Sequence, residues 1–125
     1  MIHAYDKNYL SKAQNNLASM LDFAVYDLEE DLSHFYLKFL QSKISSQFER
    51  GESTVIVGKS GVELALDIIG DETLASKYRP AANRTPEYWC GWALAYFQWQ
   101  TNLGFKEINN YISISEILAM YSPYH

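Results

Sequence analysis

Gly58-Lys59-Ser60 is the part of the sequence that comes closest to a phosphate-binding motif. Such a loop consists of a glycine, four residues, Gly-Lys, and then Ser or Thr, so that backbone amides curl around phosphate oxygens while the lysine and the hydroxyl reach phosphate and metal. The first glycine would stand at position 53, which is Ser53, and no later hydrophobic strand ending in Asp offers a magnesium ligand. The sequence therefore contains only half of the motif and predicts no nucleotide site.

The same stretch also has the pattern of a helix start. Ser60 and Glu63 have the spacing of a capping box, in which the serine side chain accepts a bond from the third helical amide and the glutamate reaches back to the serine amide. We favour this capping interpretation. The alternative is an anion site, because a helix N-terminus beside a lysine attracts negative charge. The residues of that candidate site are Gly58, Lys59, Ser60 and Gly61.

Metal binding and nucleophilic catalysis find little support in the sequence. The histidines are His3, His34 and His125, and Asp31-x-x-His34 is one imperfect copy of a carboxylate-x-x-His pair that di-iron bundles need twice. Cys90 lies in the most apolar segment, where a thiol usually serves as inert packing, and the Gly-x-Ser-x-Gly motif is absent. We therefore predict no metal, no cofactor and no catalytic residue.

Two segments, 45–70 and 105–121, have the outline of a helix-turn-helix: a helix, a short break and a second helix. The second helix of the first segment, GVELALDIIG at 61–70, has no Arg, Asn or Gln to meet base edges, and its two acidic residues repel phosphate. Packing is therefore the better interpretation. DNA binding would require a local basic patch, for which the candidates are Lys38, Lys43, Arg50 and Lys59.

An aromatic segment, PEYWCGWALAYFQWQT at 86–101, is apolar almost all round, which is typical of a helix surrounded by others. Its first stripe at helical spacing is Tyr88, Trp92, Tyr96 and Trp99, and its second is Trp89, Ala93 and Phe97. Gly91 and Ala95 leave a groove in which another helix can approach closely. Such stripes are usually core, but any part that stays exposed would form a patch of the kind enriched at protein interfaces.

The elements that position these residues are helices. Apolar residues three or four apart predict helices from Asp6 to about 28, from Asp31 to Gly51, from Ser60 to Gly70, from Thr85 to about 102, and at 105–110 and 115–121. Residues 54–57 read as a turn or short helix, and 71–84 as a mobile loop. We predict an all-α, single-domain compact bundle over residues 1–125, with five or six helices around the aromatic-rich one.

Composition sets further bounds. The 125 residues are 48% hydrophobic and 20% charged, which is enough apolar surface for one folded core. The net charge of −5 argues against binding to nucleic acid or anionic lipid. The sequence also contains no uncharged apolar run of 18 residues that would predict a membrane span. One cysteine fits a reducing compartment. These features predict a cytoplasmic protein without membrane association.

Four segments resemble, in this order and over nearly the whole chain, a family of small, uncharacterised bacterial cytoplasmic proteins: YDKNYLSKAQNNLASMLDFAVYDL, SGVELALDII, PEYWCGWALAYFQWQT and FKEINNYISISEILAMYSPYH. The resemblance implies a gene cluster with small partner proteins and ADP-ribosyltransferase-like proteins, hence a toxin–antitoxin or immunity-like context. It implies no catalytic residue. Two departures are Cys90, where the family leads us to expect a small polar residue, and the end at Tyr124-His125, where we expect a short further tail.

The combined prediction is a non-enzymatic protein-interaction module, antitoxin- or immunity-like, that binds a protein partner through an acidic and aromatic surface. The candidate partner-binding residues are Tyr88, Trp92, Tyr96 and Trp99. One alternative is the DNA-binding regulator. Another is a small-molecule-binding or enzymatic domain in which the aromatic stripe lines a pocket with polar groups such as Glu87 and Gln98. The sequence does not determine the oligomeric state.

Overall fold

The computed structural model describes residues 2–80 and 84–121, and this part of the chain consists of helices and turns without a β-strand. Short 3-10 helices at Lys7–Tyr9 and Glu72–Lys77 and a π-helical turn at Phe23–Asp27 supplement the α-helices. The α-helices are α1 (Leu10–Asp22), α2 (Leu32–Gln41), α3 (Lys43–Glu49), α4 (Ser53–Ile56), α5 (Gly61–Ile69), α6 (Pro86–Thr101), α7 (Phe105–Tyr111) and α8 (Ile114–Ala119). The predicted all-α bundle with its aromatic-rich helix α6 is confirmed.

The predicted helix starts are confirmed by their capping bonds. Asp6, Asp31, Ser60 and Thr85 each accept a hydrogen bond from a backbone amide two or three residues further on, at 2.8–3.1 Å. At Ser60 the capping box is complete, because Glu63 also accepts a bond from the Ser60 amide at 3.0 Å. These starts are local, so a short sequence pattern is sufficient to specify them.

The helix predicted from Asp31 to Gly51 is wrong in one respect, because the chain breaks it into α2 and α3 at Ser42. Ser42 has an extended backbone, and its hydroxyl donates to the carbonyl oxygen of Phe39 at 2.7 Å. A serine side chain that bonds nearby backbone competes with the helical pattern. The break and the short helix α4 raise the number of α-helices above the predicted five or six.

Part of the predicted loop at 71–84 has regular structure. The Asp71 side chain accepts a hydrogen bond from the Thr73 amide at 3.0 Å and thereby starts the 3-10 helix Glu72–Lys77. Leu74 in this helix packs partly against the core. Residues 81–83 of the predicted loop lie outside the described residues.

Helix α1 lies between α5 and α6, and a glycine permits each contact. A β-carbon added to Gly91 of α6 would lie 2.5 Å from the carbonyl oxygen of Leu17 and 2.8 Å from the Cα of Ala18. A β-carbon added to Gly61 of α5 would lie 2.6 Å from the amide nitrogen of Met20. The predicted close approach at Gly91 is therefore confirmed, and α1 is the helix that uses it.

Buried hydrophobic side chains from all the α-helices named above form one cluster. Phe105 of α7 lies at its centre, with ring centroids 5.1 Å from Phe39 and 5.8 Å from Phe48. All the phenylalanines fall within the described residues, and every one except Phe97 is buried. Across residues 2–80 and 84–121, no helix has both the length and the apolar character that a membrane span requires.

Replacement of Gly91 by alanine tests the close contact between α1 and α6. We expect Gly91→Ala to lower the free energy of unfolding by about 1–3 kcal/mol, because the new methyl group overlaps the backbone of α1. This loss opposes the gain of about 1 kcal/mol that alanine normally brings inside a helix. Urea denaturation followed by circular dichroism measures the free energy of unfolding of this variant and of a control variant.

Ala93→Leu is the control, because Ala93 lies on the opposite side of α6 and is only half-buried. Its free energy of unfolding should stay within about 0.5 kcal/mol of the wild-type value. A Gly91→Ala variant as stable as the wild type would show that the two helices can separate at no cost.

Candidate functional site

The structure divides the predicted stripe Tyr88, Trp92, Tyr96 and Trp99 into exposed and buried members. Trp92 is 41% exposed and Tyr96 is 44% exposed, although large aromatic side chains are usually covered. Tyr88 is half-buried, and Trp99 is only 6% exposed. The outward side of α6 is therefore open at Trp92 and Tyr96, so the expectation of a helix surrounded on all sides holds for its inner side alone.

Trp99 holds the N-terminal segment against α6. Its indole nitrogen donates a hydrogen bond to the carbonyl oxygen of Tyr5 at 2.8 Å, and its own carbonyl oxygen accepts one from Ala4 at 3.0 Å. The ring of His3 stacks on the indole with centroids 3.9 Å apart and planes 7° apart. These contacts give Trp99 a structural role within the chain.

The second stripe, Trp89, Ala93 and Phe97, contributes more surface than sequence reasoning assigned to it. Together with residues at and before α8 it lines a groove of about 300 Å³. Phe97 is 46% exposed and Met120 is 59% exposed. We call this the α6–α8 groove, and its lining residues are Trp89, Ala93, Leu94, Phe97, Ile112, Ile117 and Met120.

A second cleft of about 310 Å³ adjoins the groove, since Trp89 lines both. Its other residues include Arg84, whose guanidinium carbon lies 4.9 Å from the centroid of the Tyr88 ring, and Trp92. We use the term aromatic face for the continuous surface made by this cleft, the α6–α8 groove and the exposed ring of Tyr96. The stripes in the sequence predicted this surface only in part, because they did not indicate the contribution of α8.

The polar groups proposed for a small-molecule pocket do not converge on this stripe. Gln98 is buried on the inner side of α6, where its amide donates to the carbonyl oxygen of Leu103 at 2.9 Å. Glu87 accepts a hydrogen bond from the Tyr26 hydroxyl at 2.7 Å. The polar groups that do line the cleft beside Tyr88 belong to Arg84 and Thr85.

At the Gly58-Lys59-Ser60-Gly61 turn the geometry favours capping over anion binding. The backbone amide of Ser60 already donates its hydrogen bond to the Glu63 carboxylate, and the ammonium group of Lys59 forms an ion pair with Asp67. Gly61 lies against the backbone of α1, with no room for a ligand between them. The amides and the charge that a phosphate would need are thus engaged within the chain.

The four basic residues suggested for DNA binding do not form an open patch. Lys38 pairs with Glu30 at 3.2 Å, Arg50 pairs with Glu52 at 2.5 Å, and Lys59 pairs with Asp67. Each pair neutralises a positive charge on the surface. Lys43 and Lys59 line the same cleft, of about 480 Å³, and Asp67 lies in that cleft as well.

The remaining chemical candidates are Cys90 and His34. Burial raises the pKa of the Cys90 thiol to about 12, with a smaller contribution from Glu87, so the thiol stays protonated and unreactive. The backbone amide of His34 serves the capping bond to Asp31. Among residues 2–80 and 84–121, no three His, Cys, Asp or Glu side chains come together in a way that would hold a metal ion.

Carboxylates gather where the end of α1 meets the start of α6, beside the aromatic face. The Thr85 hydroxyl donates to Asp22 at 2.5 Å, and Asp27 and Glu87 lie close enough to affect the charge of Asp22. Burial raises the pKa of Asp22, the Thr85 bond partly offsets this, and the two neighbouring carboxylates raise it further. The hydrogen bond to Glu87 is the main reason that the pKa of Tyr26 rises to about 12.

Trp99→Ala should lower the free energy of unfolding by about 3 kcal/mol, because it removes a buried ring and releases the N-terminal segment. Trp92→Ala, which truncates an exposed ring on the same helix, should cost clearly less, about 1 kcal/mol. Thermal and urea unfolding of the two variants measure the difference. Equal losses would contradict the division of the stripe into an inner and an outer part.

The raised pKa of Asp22 predicts a pH-dependent gain in stability for Asp22→Asn, which keeps an oxygen to accept the Thr85 bond. The native state binds the Asp22 proton more tightly than the unfolded state, so the wild type loses stability as the pH rises from about 4 to 7. The variant lacks this loss. At this partly exposed site we expect the gain at pH 7 relative to pH 4 to be below about 1 kcal/mol, the range of exposed charge interactions. Urea denaturation at both pH values measures it, and an equal effect at both would contradict the assignment.

Comparison with other proteins provides no family or function. No protein-family model matches the chain, and neither a curated protein nor a solved structure matches it. The resemblance to a bacterial family stays a prediction. The function of the chain therefore has to be inferred from its own surface, on which the aromatic face exposes Trp92, Tyr96 and Phe97.

Proposed function

We propose that this protein is a non-enzymatic interaction module that binds a protein partner on its aromatic face. The observation that supports this most directly is the exposure of Trp92, Tyr96 and Phe97 along one side of the 16-residue helix α6. A helix packed on a core normally presents polar residues to solvent. Exposed contiguous aromatic surface is instead typical of a binding site, and Trp and Tyr are enriched among the residues that dominate binding energy.

The charge of the surroundings fits a basic partner. The chain has a net charge of −5, and Asp22, Asp27 and Glu87 lie near the N-terminal end of α6. Acidic groups around an apolar centre attract a positively charged partner and steer its approach. Such a partner fits the antitoxin- or immunity-like role, in which this protein occludes the basic, nucleotide-binding cleft of a neighbouring toxin-like enzyme.

Binding of a small molecule is the second candidate, and the cleft beside Tyr88 supports it. The cleft has a volume of about 310 Å³, and Arg84 and Thr85 supply polar groups next to the aromatic rings. Ligand sites usually combine an apolar wall with a few such groups. The cleft is continuous with the larger apolar surface, however, and this continuity favours a protein partner.

The experiment is an affinity capture from a lysate of the source organism, followed by titration of the purified partner against variants. Trp92→Ser and Phe97→Ser should each weaken its binding about tenfold or more, because truncation of a central anchor removes most of its contact. Val57→Ser is the matched control, since Val57 is also 46% exposed but lies after α4, away from the aromatic face. It should leave the affinity unchanged.

A partner that binds the two serine variants and the wild type equally well would contradict the proposal. Loss of binding in the Val57→Ser control as well would point to a general effect on folding. Circular dichroism of each variant separates these cases, because all three replaced side chains are exposed and a folded variant should retain the wild-type helical spectrum.

A further inference from the structure

Trp99 is covered by a part of the chain that lies outside the helices. Its side chain is buried, yet it is not a member of the hydrophobic cluster that the α-helices form. Residues 3–5 contact it through the stacked ring of His3, the amide of Ala4 and the carbonyl oxygen of Tyr5. We call residues 3–5 the N-terminal strap. The burial of Trp99 therefore depends on whether this strap is in place.

The strap is held at both ends by contacts with single residues. Two hydrogen bonds and the ring stack attach it to Trp99, and Tyr5 packs closely on Gly51, where an added β-carbon would lie 2.5 Å from the Cβ of Tyr5. Hydrogen bonds of this kind contribute little net stability, because the same groups bond to water when they are released. The attachment is thus well defined in geometry but weak in free energy.

The hydroxyl group of Tyr5 opposes the attached state. It is buried, and within the described residues it has no hydrogen-bond partner. Burial also raises the pKa of this phenol, since the charged form is removed from water. A buried hydroxyl without a partner loses the hydrogen bond that it makes to water in the open state. Release of the strap would restore that bond.

The helical bundle does not need the strap in order to stay folded. Asp6 begins the first 3-10 helix on its own, because its side chain accepts a hydrogen bond from the Asn8 amide at 2.8 Å and its carbonyl oxygen accepts one from the Tyr9 amide at 3.0 Å. An opening that stops at Asp6 therefore leaves the helices intact. It would uncover Trp99 next to the exposed ring of Tyr96, whose centroid is 6.0 Å away.

We propose that the N-terminal strap is a releasable cover that competes with the protein partner for Trp99. In the closed form Trp99 is hidden, and in the open form it extends the aromatic face beyond Tyr96. The proposal rests on the proposed function, because the partner that selects the open form is the one that binds the aromatic face. When only a fraction of the molecules is open, the apparent dissociation constant of that partner rises as the fraction falls.

Hydrogen exchange followed by NMR measures the opening without a partner. The amide of Ala4 and the indole N–H of Trp99 are the two reporters, because each donates a bond between the strap and α6. Leu17 is the reference, since it is a fully buried residue in the middle of α1. The protection factors of both reporters should lie at least about a hundredfold below that of the Leu17 amide, which requires a much larger unfolding event.

Two variants should move the opening in opposite directions. Tyr5→Phe removes the unpartnered hydroxyl and should raise the protection of both reporters about tenfold. His3→Ala removes the ring stack and should lower it about threefold. Tyr111→Phe is the matched control, because it deletes the same hydroxyl from a tyrosine that is 81% exposed, and it should leave the protection unchanged.

The affinity of the captured partner should follow the same proportions. Tyr5→Phe should weaken binding about tenfold and His3→Ala should strengthen it about threefold, because each changes the open fraction by that factor. Tyr111→Phe should bind like the wild type. Agreement between the change in exchange and the change in affinity would support competition for Trp99 over a general effect on stability.

Three results would overturn the proposal. Reporters as strongly protected as Leu17 would show that the strap opens only when the bundle unfolds. Unchanged or weaker protection in Tyr5→Phe would show that the hydroxyl does not oppose closure. Equal partner affinities in Tyr5→Phe and His3→Ala, with exchange that differs, would remove the competition while leaving the proposed function in place. The proposed function itself fails separately, if the partner tolerates Trp92→Ser.

Discussion

The structure depends on the contact of α1 with two glycines. Gly91 brings α6 against the backbone of Leu17 and Ala18, and Gly61 brings α5 against Met20. Neither position leaves space for a larger residue. Gly91 therefore determines which side of α6 faces α1. With Gly91 facing inward, residues one and five positions later lie about 100° and about 140° around the helix from it, and these are the exposed Trp92 and Tyr96. The exposed aromatic face is therefore a direct geometric consequence of how the core is packed.

The same constraint explains the incomplete phosphate-binding motif. A glycine in a phosphate-binding loop provides open backbone for the ligand. Gly61 instead provides space for the backbone of α1, and Asn16 of α1 donates from one amide nitrogen to the carbonyl oxygens of Ile56 at 2.7 Å and Lys59 at 2.9 Å. The turn is thus fixed to α1 from two sides. The glycine, lysine and serine that suggest nucleotide chemistry serve respectively for helix packing, an ion pair with Asp67 and a helix cap.

Features specified by a few neighbouring residues could be predicted from the sequence, and features that depend on distant segments could not. The caps at Asp31 and Ser60 are local, and so is the small side chain of Gly91. The burial of Trp99 depends on Tyr5, which is 94 residues away in the chain. The α6–α8 groove depends on where α8 packs, and no pattern within α6 encodes that position. The break at Ser42 was missed for another reason: the apolar spacing continues through it.

The outer aromatic residues of α6 are not required by the core that the glycines organise. Phe23, Phe35, Phe39, Phe48 and Phe105 fill that core, and the inner side of α6 seals it. Trp92 and Phe97 therefore expose costly apolar surface with little return in stability. A net charge of −5 reduces the risk that follows, because it opposes association between copies of the chain. In the proposed interaction the exposed apolar residues would attract any partner with apolar surface, and the negative net charge of the chain would favour the basic partners among them.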